Sequence, residues 1–333
     1  ATLLSGAASN ELEMLAGRAL ALTRRHFGRT ISLYVPLYLS NYCSGGCVYC
    51  GFAADRKLVR GRLEKSDLMK EIAVLQNKGY QDVLLLTGER SEKADFDYVK
   101  DSVSVVATQF HGVSIEAFSM TEDEYRQLVA AGCMGVTLYQ ETYDTDLYAE
   151  LHRWGEKRDY NNRLDAPNRA LRAGMRFLGM GVLLGLGDPV ADAISLFLHA
   201  RQIMKKFWRS GITISFPRIR HQVGDYVAPH PVEDRLLAQM IFAFRICLPE
   251  VSLVLSTREA PSFRDGIAGI GISRMSVGSK TTVGGYAEET LHTEGQFDVS
   301  DGRSVDQFLR MLQSKGLFPV FKNWDSVFTG SER

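Results

Sequence analysis

Residues 31–52 read Ile31-Ser32-Leu33-Tyr34-Val35-Pro36-Leu37-Tyr38-Leu39-Ser40-Asn41-Tyr42-Cys43-Ser44-Gly45-Gly46-Cys47-Val48-Tyr49-Cys50-Gly51-Phe52. The first part, Ile31–Leu39, is mostly apolar and aromatic, as a buried strand is. The rest is glycine-bearing and spaced C-x3-C-x2-C, as a loop that collects thiols would be. A strand therefore carries three cysteines to the turn at its carboxyl end.

Runs of the same kind recur at Val83–Leu86, Val113–Phe118, Gly135–Tyr139, Phe177–Leu184, Ile212–Phe216, Val251–Ser256 and Gly271–Ser276. Helical spacing separates them, with Leu68, Ile72 and Leu75 before Gly79, and Leu236, Met240 and Phe244 before Pro249. Thr121 with Glu124 and Ser304 with Gln307 have the form of capping boxes, so helices are expected to start there. Regular alternation of strand and helix predicts a parallel sheet, and the number of strands favours an α/β fold of the closed (β/α)8 TIM-like barrel type. An open doubly wound sheet is the alternative. In a barrel the cysteine loop lies on the rim where active sites form.

The expected organisation is a single domain over 1–333. A helical lead-in occupies 1–30, with its helix over 9–27, the barrel core 31–280 and a C-terminal extension 281–333. The tail after Lys315 is expected to fold over one barrel end.

The chain has 39 basic and 39 acidic residues, so no broad field draws nucleic acid or an anionic membrane. Its apolar runs fall far short of the roughly 18–20 residues that span a bilayer. The opening residues Ala1–Gly6 do not read as a signal peptide, and the missing initiator Met suggests a trimmed or partial amino terminus. Five cysteines, three of them close together, are the opposite of a secreted disulfide framework, which places the protein in a reducing cytoplasm.

Thiolates are soft ligands for zinc, Cu(I) or iron–sulfur clusters. Zinc wants a fourth ligand at short spacing, but the next cysteines are Cys133 and Cys247 and the nearest downstream histidine is His111. Three thiolates on a 4Fe-4S cluster instead leave one iron open to a small molecule. Cys133 and Cys247 sit in apolar settings and are expected to be buried and inert. No H-x-x-H, H-E-x-x-H or G-x-S-x-G pattern is present.

The form C-x3-C-x-Φ-C, with Tyr49 as the aromatic, resembles the signature of the radical S-adenosylmethionine (SAM) enzymes. Further segments, in order, narrow the resemblance: Pro36–Cys43, Leu86–Glu89, Tyr139–Tyr143, Ser215–Arg218, Leu255–Glu259 and Gly284–Ala287. Together they resemble the aromatic amino acid lyases of that superfamily, over about residues 22–328. Members serving hydrogenase maturation carry further cysteines near the carboxy terminus, and none follows Cys247 here. The run Pro319–Ser326 is similar to the ending of the tyrosine lyases of thiamine biosynthesis.

The resemblance implies a 4Fe-4S cluster on Cys43, Cys47 and Cys50, with SAM on its open iron. It implies SAM contacts from Tyr49, Gly88, Glu89, Glu141 and Arg163, and adenine packing on the segment containing Gly185. It implies that Arg258 and Ser276 grip the substrate carboxylate while Tyr38 borders the amino acid. Arg218 and Arg220 are the next candidates for the carboxylate. The implied reaction is cleavage of the Cα–Cβ bond of L-tyrosine to dehydroglycine and p-cresol, initiated by a 5′-deoxyadenosyl radical. Thiazole synthase is implied as a protein partner and a flavodoxin-type protein as reductant. Tryptophan or another aromatic amino acid is the alternative substrate, and a non-catalytic iron–sulfur or zinc scaffold is the alternative of another class.

Overall fold

A computed structural model of the protein describes residues 1–287 and 293–322. Its strands are β1 (Thr30–Tyr38), β2 (Asp82–Leu86), β3 (Gly112–Glu116), β4 (Gly135–Thr137), β5 (Phe177–Gly181), β6 (Gly211–Ser215), β7 (Ser252–Leu255), β8 (Arg274–Ser276) and β9 (Phe318–Val320). All neighbours pair in parallel, β2 through β8 in sequence order, and β8 then pairs with β1. The ring closes because β1 also pairs with β2, which excludes the open sheet.

The length of β1 makes this closure possible. Its residues Ser32–Tyr34 face β8, while Val35–Tyr38 face β2 farther along the strand. That offset is the stagger a closed parallel barrel requires. The early part of β1 then has a free edge beneath β2, and β9 fills it, Thr30–Ser32 opposite Phe318–Val320. This ninth strand was not foreseen, because three residues containing a proline carry little strand signal. Of the tail motif, Asn323–Ser326 lie outside the described residues.

Both capping boxes form: Thr121 and Ser304 each accept the N–H three residues on, and Glu124 and Gln307 reach back to the cap N–H groups. Leu68, Ile72 and Leu75 are the buried stripe of helix Lys65–Asn77. Met240 and Phe244 are buried in helix Asp234–Cys247, against which the lead-in helix Leu12–Phe27 packs. No described helix is long and apolar enough to cross a membrane.

Strand ends differ from the pattern at the rim. The run expected to reach Tyr139 stops at Thr137, and that expected to reach Leu184 stops at Gly181. Ladder bonds continue past both ends, from Leu138 N–H to Gly179 O and from Leu183 N–H to Glu141 O, but Glu141 has φ 71° and breaks the regular strand. Positive φ in a non-glycine residue is costly and collects at functional sites.

The cysteine expectation needs correcting. Cys133 is buried in the turn before β4, but Cys247 is exposed. Cys247 ends its helix, where the apolar neighbours Ile246 and Leu248 turn inward and the thiol faces solvent.

Behind the rim, Arg264 is 1% exposed, pairs with Asp301, donates to the Ser276 carbonyl and lies 4.6 Å from the Phe308 ring centre. This joins helix Pro261–Ile267, β8 and the C-terminal segment. Asp301 keeps Arg303 as a second partner, so removing Arg264 leaves no charge stranded and costs its own charge-assisted bonds to Asp301 and the Ser276 carbonyl, together about 2–4 kcal/mol. Arg264→Met is therefore expected to lower unfolding free energy by about that amount in urea titrations, and a loss below about 1 kcal/mol would contradict the assignment.

Candidate active site

The cysteine loop leaves β1 and is held open by its backbone. Asn41 donates to Val59 O at 2.8 Å and accepts from Gly61 N–H at 2.7 Å. Arg60 donates to the carbonyls of Asn41, Phe52 and Ala53, and Arg56 to those of Val48 and Cys50. Across the loop, Gly46 N–H and Val48 N–H donate to Trp154 O and Leu151 O. With those carbonyls tied outward, some of the remaining N–H groups turn to the thiols. Cys43 Sγ accepts from Glu89 N–H at 3.3 Å and Gly45 N–H at 3.4 Å, and Cys50 Sγ from Phe52 N–H at 3.4 Å.

Such donors favour thiolate, but burial pushes the Cys43 thiol up to about 12, with Cys50 and Glu89 adding to it. Cys47 is pushed up as well, mainly by burial. Both are protonated as free thiols at neutral pH, so metal binding must displace their protons.

Gly88 follows β2 against this loop: a Cβ there would come within 2.5 Å of Tyr42 O and 2.7 Å of Cys43 Cβ. Only glycine admits that approach. Glu89 is buried beside it, with Oε1 at 3.2 Å from Arg163 Nη1 and Oε2 buried without a partner. Arg163, on helix Tyr160–Arg172, also donates to Tyr139 O and approaches Glu141 at 3.9 Å. Lys157 completes the chain at 2.7 Å from Glu141 Oε1. Burial raises the Glu141 carboxyl, but Lys157 and Arg163 outweigh it and hold the group below its usual range.

Tyr49 closes one wall. Its hydroxyl lies 2.7 Å from His152 Nε2, and His152 Nδ1 lies 2.8 Å from Tyr148 O. Burial and then Lys157 push His152 down to about 3, so it is neutral. The carbonyl fixes the proton on Nδ1, and Tyr49 donates to Nε2. Leu183, Leu186 and Ile219 pack with Tyr49 and Cys47 as an apolar wall. Gly185 has φ 113° and stands behind it, where a Cβ would meet Ala228 at 3.0 Å.

Beside the thiols lies a space lined by Tyr49, Cys50, Glu141, Lys157, Leu183 and Arg258, among others. A second, deeper one is lined by Tyr38, Glu116, Tyr139, Arg258, Ser276 and Phe297, among others. Tyr38 donates to Gln296 Oε1 at 2.8 Å, and Ser276 Oγ accepts from Thr257 N–H at 3.1 Å. Among the described residues Arg258 pairs with no carboxylate and lies 3.3 Å from the centre of the Phe297 ring. Arg218 and Arg220 are both engaged by Glu259.

The structure thus brings together the residues singled out in the sequence, with Glu89 and Arg163 standing one layer back from the two spaces and Gly185 behind the wall. Sequence reading missed Glu116, Tyr139, Lys157, Gln296 and Phe297. Glu116 carried a usable signal, an acid inside the apolar run Val113–Phe118, comparable to the charge that marks Arg258. Lys157, in Gly155-Glu156-Lys157-Arg158, had none.

Residues 37–197 match the Radical SAM superfamily and residues 215–318 the Biotin and Thiamin Synthesis associated domain. The chain is 41% identical over 325 residues, 97% of its length and 86% of the relative's, to 2-iminoacetate synthase of Escherichia coli (strain K12). It is 39% identical over the same shares to 2-iminoacetate synthase of Salmonella typhimurium (strain LT2). The crystal structure of HydG, a maturase of the [FeFe]-hydrogenase, superposes with TM-score 0.91 at 32% identity, covering 96% of this chain and 72% of that one.

Gly88→Ala should push the cysteine loop away from β2 and misplace Cys43. After anaerobic reconstitution with iron and sulfide, the variant is expected to hold less than about a third as much iron as the parent while keeping its circular dichroism, because overpacking of this kind shifts backbone. Equal iron content would show that the loop does not depend on this contact.

Proposed function

This chain belongs to the 2-iminoacetate synthase family of radical SAM enzymes, and from that premise we propose how its barrel cleaves L-tyrosine to 2-iminoacetate and p-cresol. Membership makes it a radical SAM lyase and implies a 4Fe-4S cluster and SAM. The residues present fit both groups: three thiols share one loop, two of them aimed at by backbone N–H donors, and the buried Glu89 Oε2 lacks a partner. When bound, the cluster and SAM supply a 5′-deoxyadenosyl radical as hydrogen-atom acceptor.

Cys43, Cys47 and Cys50 would hold the cluster, three thiolates that leave room for SAM as a further ligand. Glu89 and Glu141 suit the SAM ammonium, and Arg163 and Lys157 its carboxylate, with Tyr49 and the wall before Gly185 flanking the adenosyl part. The substrate lies deeper, between Tyr38 and Ser276. Arg258 is the observation that carries this reading: a half-buried, desolvated guanidinium with no acid among the described residues is costly, and an amino acid carboxylate supplies the missing partner. Fixing the carboxylate there directs the radical to one end of the substrate and keeps the reaction away from water.

The 2-iminoacetate is taken up in making the thiazole of thiamine, with thiazole synthase as the receiving partner and a flavodoxin-type protein as reductant, in a reducing cytoplasm. The reading is tested by giving the anaerobically reconstituted protein SAM, dithionite and each aromatic amino acid in turn. p-Cresol and 5′-deoxyadenosine are expected from tyrosine, and consumption of tryptophan in preference to tyrosine would overturn the substrate assignment.

Arg258→Leu removes a charge-assisted contact worth roughly 1.5–3 kcal/mol, so tyrosine should bind about ten- to hundredfold more weakly with SAM binding little changed. Titrations of each ligand check this. Normal tyrosine affinity with lost SAM affinity would assign Arg258 to the cofactor.

A further inference from the structure

Glu116 closes β3 and reaches into both spaces of the site, facing Tyr49, Glu141 and Lys157 in one and Tyr38, Arg258 and Ser276 in the other. Among the described residues its carboxyl makes no hydrogen bond and no ion pair. Glu89, Glu141 and Glu259 each hold a cation. A carboxyl inside a barrel with no partner of its own is a group kept for a ligand.

The inference rests on the tyrosine lyase reading. An amino acid carboxylate on Arg258 leaves its ammonium one carbon away, beside Glu116. Loss of a hydrogen atom from an ammonium would leave a radical that keeps the positive charge, whereas a neutral amine leaves a neutral radical. We propose that Glu116 is the base that takes the proton from the α-ammonium of bound tyrosine and leaves the neutral amine to be the hydrogen-atom donor. One N–H bond breaks with its electron pair staying on nitrogen, one O–H bond forms on Glu116, and nothing is oxidised or reduced.

The surroundings suit the task. Burial lifts the Glu116 carboxyl to about 7; Arg258 pulls it back, Glu141 pushes it up, and Lys157 and Arg163 pull it down. The other titratable groups coupled to it are Tyr34 and Tyr38 on β1 and Tyr139 beyond β4, and burial keeps all three protonated. A base with a value near neutrality is well matched to a proton transfer at physiological pH. The group is ionised, and able to act, only above that value, so turnover should fall as pH drops through it.

The test uses oxidised, SAM-loaded protein, which binds tyrosine without turning it over. Calorimetry in buffers of different ionisation enthalpy reads the protons released. At about pH 6 Glu116 is mostly protonated before binding, so it must first give that proton to the buffer to reach the same complex of protonated Glu116 and neutral amine. Binding there should release about one proton per tyrosine, the cost that lowers turnover at that pH; at about pH 8 it should release almost none. Glu116→Gln should release none at either pH, and Glu116→Asp should restore the release. Under reducing conditions the Gln variant should lose about a hundredfold or more in p-cresol formation, together with the rise of kcat/KM near neutrality.

Equal proton release by parent and Gln variant, or a Gln variant that keeps the pH rise, would overturn the proposal while leaving the lyase reading intact. A parent that neither binds tyrosine nor yields p-cresol would overturn that reading, and this proposal with it.

Discussion

The carboxyl rim of this barrel depends on one chain of buried charges, Glu89, Arg163, Glu141 and Lys157. Each would be costly alone and is tolerable because its neighbour has the opposite sign. The chain ties the turn after β2, the segment beyond β4 and the start of helix Tyr160–Arg172 into one unit behind the thiols. It also accounts for Glu141 keeping a left-handed backbone: the side chain is aimed at Lys157 from that conformation, and the ladder bonds on either side hold it there. The cysteine loop rests on this unit through Gly88 and through the N–H of Glu89.

Arginine takes several different parts here, and in each the neighbours decide which. Arg56 and Arg60 bind loop carbonyls and so set the loop's shape. Arg264 is spent on Asp301, and Arg218 and Arg220 on Glu259. Among the described residues Arg258 is left with an aromatic ring and no acid. Half-buried at the site, its guanidinium is pulled below the usual range by desolvation, which is opposed by Tyr38 and Glu116. On the proposed reading, a carboxylate ligand would relieve that cost, and the same residue type would then be scaffold at one position and recognition at another.

Much of this was legible in the sequence, because the relevant signals are local. Every barrel strand shows as an apolar run, both capping boxes show as four-residue patterns, and the thiol triplet is one loop. What stayed hidden depends on distant partners. β9 exists because β1 is long enough to leave an edge uncovered, and Phe318-Pro319-Val320 alone does not announce that. The early end of β4 turns on the backbone of Glu141, where no glycine advertises a left-handed residue. Gln296 and Phe297 reach the site from a segment without strand or helix signal, Gln296 by its bond to the far-off Tyr38 and Phe297 by its contact with Arg258. Cys247 was misjudged because its neighbours in sequence are apolar while its own position on the helix faces out.

The most direct test of the account is a crystal structure of the reconstituted protein with SAM and L-tyrosine bound. The account predicts one 4Fe-4S cluster on Cys43, Cys47 and Cys50, SAM on the remaining iron beside Glu89, Glu141, Lys157 and Arg163, and the tyrosine carboxylate on Arg258 with its amine toward Glu116. A fourth protein ligand on the cluster, or a tyrosine whose carboxylate sits on any other residue, would contradict it.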